Sequence, residues 1–168
     1  PPEKIKLPKE KGERIPHFLN LEQLEKLFSV PDASKIIGLR DRAIMETLFS
    51  TGLRVSELSN LNREQLKIKN TSKDLEISII GKGDRPRTVY FSERAVDWLR
   101  KYLETRKDNN KALFINYKGR SPGSRLSIKS IERTVKGCAI MAGLPIITTV
   151  HTLRHSFATD LLMKGVDL

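Results

Sequence analysis

"LEISIIGKGDRPRTVYF", residues 75–91, decides what kind of fold this chain has. Its first six residues are rich in β-branched side chains and set Leu75, Ile77 and Ile79 against Glu76 and Ser78. That is the period of a strand with one buried face. "GKGD", 81–84, supplies a tight turn with Lys82 between two glycines, and "RPRTVYF", 85–91, reads as the returning strand. Upstream, "LKIK", 66–69, alternates in the same way and predicts a further strand. The expectation is therefore a small three-stranded antiparallel sheet.

Outward from this sheet the period becomes helical. Toward the C-terminus, Ser92 is placed to cap a helix over about 93–107, with Ala95, Trp98, Leu99, Tyr102 and Leu103 turned inward. Ser127 caps another over 128–142, ended by Gly143, and a last one runs from about Thr152 to Lys164. Toward the N-terminus, Asn20 with Gln23 forms a capping-box pattern ahead of a helix over 21–29. A longer helix over 34–50 has Gly52 placed to end it, and a short one follows in "RVSELSNL". The run "ALFIN", 112–116, is apolar but of undecided type. The chain is thus mainly α with one small sheet, an α+β fold.

Length and composition narrow the function. At 168 residues the chain suits one good-sized domain with a proper core. Lys and Arg number 31 against 20 Asp and Glu, a net charge of +11, which suits a polyanion such as nucleic acid. Cys138 is the only cysteine, so an intrachain disulfide and a cysteine-based zinc site are excluded, and a reducing cytoplasmic setting is the natural reading. No stretch has the apolar length of a membrane span. The chain opens on Pro1 rather than Met and stops at Leu168 just past a predicted helix. It reads as a piece of a longer protein, with residues 1–15 a proline-rich, charged linker remnant and 16–168 the folded domain.

Four basic side chains on separate elements could address one anion. On a helix, His151, Arg154 and His155 fall at i, i+3 and i+4 and share a face, while Leu153, Phe157 and Leu161 anchor the opposite one. An arginine between two histidines repels a metal cation and offers a fork to a phosphate. In "TGLRVSEL", 51–58, Arg54 opens a short helix, with Glu57 one turn on to orient it. Each of these, and Lys82 at its turn, is equally an ordinary surface feature when taken alone. Together, Arg54, Lys82, His151 and Arg154 could surround a phosphodiester, the arginines on the non-bridging oxygens, the lysine at the leaving oxygen and the histidine at the nucleophile's proton. With no acidic pair to hold two metal ions, these side chains would supply the positive charge themselves.

"TGLRVSEL", "GKG" and "HTLRHSFATDLL", in that order, resemble the catalytic domain of the tyrosine recombinases, the Xer and phage-type integrases. The resemblance covers residues 15–168 and includes the lead-in "IPHFLNLEQLEKLF". It implies a tyrosine-recombinase catalytic-domain fold, with 16–168 as that domain cut short of its C-terminal end. It further implies site-specific DNA recombination or integration through a 3′-phosphotyrosyl intermediate, with no cofactor and no metal. Arg54, Lys82, His151 and Arg154 match catalytic positions, with Glu57 and His155 in support. Expected partners are double-stranded DNA and, for the parent protein, three further subunits in a tetramer, the fragment itself being a monomer. Lys67, Lys69, Arg85, Arg87, Lys118, Arg120 and Arg125, in strands and loops, are candidates for contacts with the DNA backbone.

Two departures from the family pattern stand out. The attacking tyrosine follows the H-x-x-R helix in such enzymes, whereas Tyr90, Tyr102 and Tyr117 all precede it here, so this chain alone is expected to bind DNA without cutting it. Asp160 stands where Xer proteins often carry histidine. A type IB topoisomerase, or a catalytically silent DNA-binding module, are the competing readings.

Overall fold

The computed structural model describes residues 17–68 and 75–165, with backbone only for 161–163. Six helices surround one hairpin among these residues: α1 (Leu21–Phe28), α2 (Ile36–Thr51), α3 (Val55–Ser59), β1 (Leu75–Ile80), β2 (Pro86–Phe91), α4 (Glu93–Glu104), α5 (Ile128–Met141) and α6 (Val150–Met163). The expected linker remnant and Lys69 lie outside the described residues.

α2 is the centre. Ala43, Ile44, Met45 and Leu48 are fully buried, and Gly38, Arg40, Glu46, Thr47 and Thr51 are buried with them, so the helix has almost no solvent face. It packs against α4, α6, α5 and β2. Its buried charged side chains are matched, while Thr47 Oγ1 is buried without a hydrogen-bond partner among the described residues. Glu46 accepts from Arg42 Nε and Arg94 Nε, both at 2.9 Å, and the Arg42 guanidinium lies 4.4 Å from the Trp98 ring centre. Gly52 then stops the helix. Its φ of +65° is the left-handed C-cap, with its N–H donating to Leu48 O at 3.0 Å.

The local signals hold for the other helices. Asn20 and Gln23 exchange side-chain-to-backbone bonds of 2.8 and 3.1 Å at the start of α1, and Ser92 and Ser127 cap α4 and α5. Leu24, Leu27 and Phe28 are buried, whereas Leu21 on the same stripe stays 74% exposed, because among the described residues nothing covers that first turn. α4 ends at Glu104, three residues before the expected 107. There Arg106 turns inward to donate to Ala112 O and Leu113 O at 3.0 and 2.8 Å, and its pairing with Asp108 holds that carboxyl well below the usual range.

Among the described residues the sheet has two strands, β1 and β2, antiparallel in register Leu75↔Phe91 to Ile80↔Pro86. Of the strand expected over 66–69, the described residues 66–68 do not join them. Ile68 N–H donates to Leu66 O at 2.9 Å, a three-residue turn that breaks the extended run, and Lys69 is not described. "ALFIN" proves to be core: Leu113, Phe114 and Ile115 are buried, held by single bridges Asn62↔Ala112 and Ile115↔Arg125.

The chain enters the domain against α6. Leu19 N–H donates to Ser156 Oγ at 2.8 Å, and His17 Nε2 lies 3.3 Å from Thr148 Oγ1 just before that helix. No helix among the described residues is long and apolar enough to cross a membrane.

Candidate functional site

The α3 region and the hairpin line one cleft, with α6 beside it. α2 ends at Gly52, and two residues later Arg54 takes extended backbone (φ −69°, ψ 150°) as the cap of α3, which leaves its side chain exposed. Glu57 reaches back from the first turn of α3 and accepts Arg54 N–H at 2.9 Å. The hairpin then brings Gly81 and Lys82 to the other wall. Its loop spans 81–85, closed by Gly81 N–H donating to Arg85 O at 3.0 Å, with Gly83 at φ +77° and Asp84 at +56°. Arg54, Glu57, Gly81 and Lys82 line a cavity of ≈ 540 Å³.

α6 lies beside this cavity, its Arg154 close enough to Arg54 and Glu57 to feel both charges. Leu153 is fully buried and anchors the helix, and Arg154 Nε donates to Gly52 O at 2.8 Å. Burial holds the Arg154 guanidinium below its ordinary pKa, the Arg54 charge pushes it further down and Arg87 adds to this, while Glu57 opposes them. Arginine remains a cation over any ordinary pH. Two further arginines against one carboxylate leave a surplus of positive charge around Arg154, which an anion would relieve.

His151 is exposed one helical turn before Arg154. It lines an adjoining groove of ≈ 480 Å³ with Val55, Lys129, Arg133 and Lys136. Val55 follows Arg54, so neighbouring residues face the two openings. His155 is exposed on the same helix.

The other basic candidates divide. Lys67, Arg85, Lys118 and Arg120 are exposed, and Lys69 lies outside the described residues. Arg87 and Arg125 are engaged by partners within the chain, although the Arg87 side chain stays 39% exposed. Arg87 Nη2 donates to Glu57 Oε1 at 2.9 Å. Arg125 Nη1 donates to Ser59 O and Leu61 O, both at 2.8 Å, and Nη2 to Asn62 Oδ1. That side chain stitches the end of α3 to the 112–126 segment. Arg125→Met should therefore lower stability by about 1–3 kcal/mol, the cost of leaving such acceptors without a donor. The salt dependence of DNA binding should stay as it was; a changed slope in a binding titration would return Arg125 to the DNA contacts.

Lys129, Arg133 and Lys136 were missing from the sequence candidates, although their i, i+4, i+7 spacing within a predicted helix put them on one face. All three are exposed. None of the three tyrosines lines the cavity that Arg54 and Lys82 share. Tyr102 is fully buried, with its hydroxyl 3.0 Å from that of Tyr117, and burial pushes the Tyr117 phenol well above its ordinary pKa. Tyr90 is exposed on β2.

The phage integrase family model matches residues 17–168. This chain belongs to the phage integrase family. Among curated relatives of this phage integrase family member, tyrosine recombinase XerD of Lacticaseibacillus casei is 38% identical over 174 residues, covering 100% of the chain and 56% of the relative. Tyrosine recombinase XerC of Chlamydia muridarum (strain MoPn / Nigg) is 37% identical over 168 residues, covering 97% and 50%. The chain thus spans about half the length of the curated relatives it matches. Among solved structures, the XerH site-specific recombinase bound to palindromic difH substrate, a post-cleavage complex, aligns with TM-score 0.74 at 30% identity, over 95% of this chain and 46% of that one. The XerA recombinase aligns at 0.73 and 29%, over 92% and 52%.

Proposed function

We propose that this chain carries the phosphate-binding part of the catalytic domain of a site-specific DNA recombinase. The observation that carries the reading is the convergence of Arg54, Lys82 and Arg154 around Glu57, with His151 one turn away on the helix that bears Arg154. The whole protein breaks and rejoins double-stranded DNA. A tyrosine supplied by sequence outside this chain attacks the scissile phosphorus and the 5′-oxygen leaves, giving a 3′-phosphotyrosyl intermediate.

Each side chain has one task in that step. Arg54 and Arg154 neutralise the charge that grows on the non-bridging oxygens. Lys82, exposed at its loop, gives a proton to the departing 5′-oxygen, and His151 handles the proton of the attacking phenol. The reverse step, with a 5′-hydroxyl as nucleophile, rejoins the strand with the same groups. Lys67, Arg85, Lys118 and Arg120 hold the phosphate backbone further out, and Lys129, Arg133 and Lys136 extend the basic surface beside His151. The complete protein works in the cytoplasm on nucleoid DNA as a tetramer, and this chain alone is a monomer that binds without cutting.

The test uses the complete protein and this chain side by side on a nicked suicide duplex. A denaturation-resistant protein–DNA adduct, weighed by mass spectrometry, is expected from the complete protein only. Both should bind DNA with affinity that falls steeply as salt rises. Tight binding by both without an adduct from either would make the protein a DNA-binding module; relaxation of supercoiled DNA without a partner site would make it a topoisomerase.

A further inference from the structure

The sequence makes Arg87 a candidate contact with the DNA backbone, yet its guanidinium is engaged inside the site. It lies on β2 opposite Ile79, and Nη2 donates to Glu57 Oε1 at 2.9 Å. The same oxygen accepts Arg54 N–H at 2.9 Å. One carboxylate oxygen therefore joins the start of α3, which presents Arg54, to the strand leaving the Lys82 loop. The strand entering that loop rests on the same pair. A Cβ placed on Gly81 would stand 3.2 Å from Arg87 Nη1 and 3.6 Å from Glu57 Oε2. Gly81 directly precedes Lys82. Glu57 is only 10% exposed, and its Oε2 is buried with no hydrogen-bond partner among the described residues.

We propose that Arg87 is a positioning residue for Lys82. Clamped on Glu57, it holds the base of the hairpin against α3, so that Lys82 and Arg54 meet the same phosphate; it does not bind DNA itself. The inference rests on the reading of this cleft as a phosphodiester site. The Lys82 loop is exposed at its tip, so a fixed base is what limits the reach of the ammonium.

The leaving group separates positioning from binding. Lys82 protonates the 5′-oxygen as its bond to phosphorus breaks, whereas a 5′-sulfur in the same place departs as a thiolate and needs no proton. In the complete protein, Arg87→Ala should slow cleavage of the oxygen duplex by roughly 10- to 100-fold, the scale of a small misplacement of a reacting group. DNA affinity and its salt slope should not change. On the sulfur duplex cleavage should return close to the unmutated rate, as it should for Lys82→Ala, and Arg87→Lys should keep part of the oxygen-duplex rate. A loss that persists on sulfur, or comes with weaker binding and a shallower salt slope, would overturn the inference and make Arg87 a phosphate ligand. A second readout stands apart from cleavage. Amide hydrogen exchange of the 81–85 loop should speed up in Arg87→Ala while α2 and α4 keep their protection, and unchanged exchange there removes the clamp. If the unmutated protein forms no adduct but the exchange result holds, the recombinase reading fails and the clamp remains.

Discussion

Arg154→Ala in the complete protein is expected to cut the strand-cleavage rate by about 10²–10³-fold, the usual cost of losing one preorganised donor to a developing oxyanion. The Arg154 Nε is fixed by Gly52 O at 2.8 Å, and its guanidinium is held close enough to Arg54 and Glu57 to feel both charges. A guanidinium aimed before the substrate arrives need not reorganise as charge builds. Arg154→Lys keeps the charge but not the planar fork or its backbone anchor, so it should recover only part of the rate. Single-turnover cleavage of the suicide duplex measures the rate, and a binding titration checks that affinity holds. Near-normal cleavage by Arg154→Ala would remove this side chain from the reacting phosphate.

Gly52→Ala should be the most damaging small change to the fold near the site. At φ +65° a side chain costs about 1–2 kcal/mol. The added Cβ would also sit 2.4 Å from Phe157 Cδ1, and forcing a methyl into a packed contact costs about 1–3 kcal/mol more. Urea unfolding of this chain should show a loss of about 2–5 kcal/mol, the sum of those two costs. Relief of the clash moves α6 away from the end of α2, and the Gly52 carbonyl that holds Arg154 moves with it. An unchanged unfolding midpoint would mean that neither the backbone angle nor the Phe157 contact is as described.

What was legible in the sequence is what short range decides. Asn20 with Gln23, Ser92, Ser127 and Gly52 mark helix ends because a cap is a bond between residues a few positions apart. The hairpin was legible because period and turn chemistry agree over 75–91. The strand expected over 66–69 rested on alternation alone, which says that a surface is half buried and not that a neighbour's edge is free to pair. The division among the arginines was beyond sequence reading. Arg87 meets a carboxylate 30 positions earlier, and Arg125 meets carbonyls 64 and 66 positions earlier. Composition shows how many cations a chain has, while only folding shows which acceptors lie within reach. The four expected catalytic side chains were found by motif, but Gly52 as the anchor of Arg154 was not, since its role is played by a carbonyl that every residue possesses.

The contact of Leu19 with Ser156 has a practical meaning for anyone cutting or fusing this protein. Ser156 Oγ in turn donates to Thr152 O at 2.8 Å, so the backbone just ahead of α1 is moored to the middle of the helix that presents His151 and Arg154. The true edge of the unit is thus upstream of its first helix. A deletion through Leu19 would look harmless on a secondary-structure map, yet it would unmoor α6 from the far side. A tag or spliced domain joined at that point would pull on α6 as a rope pulls on a tiller.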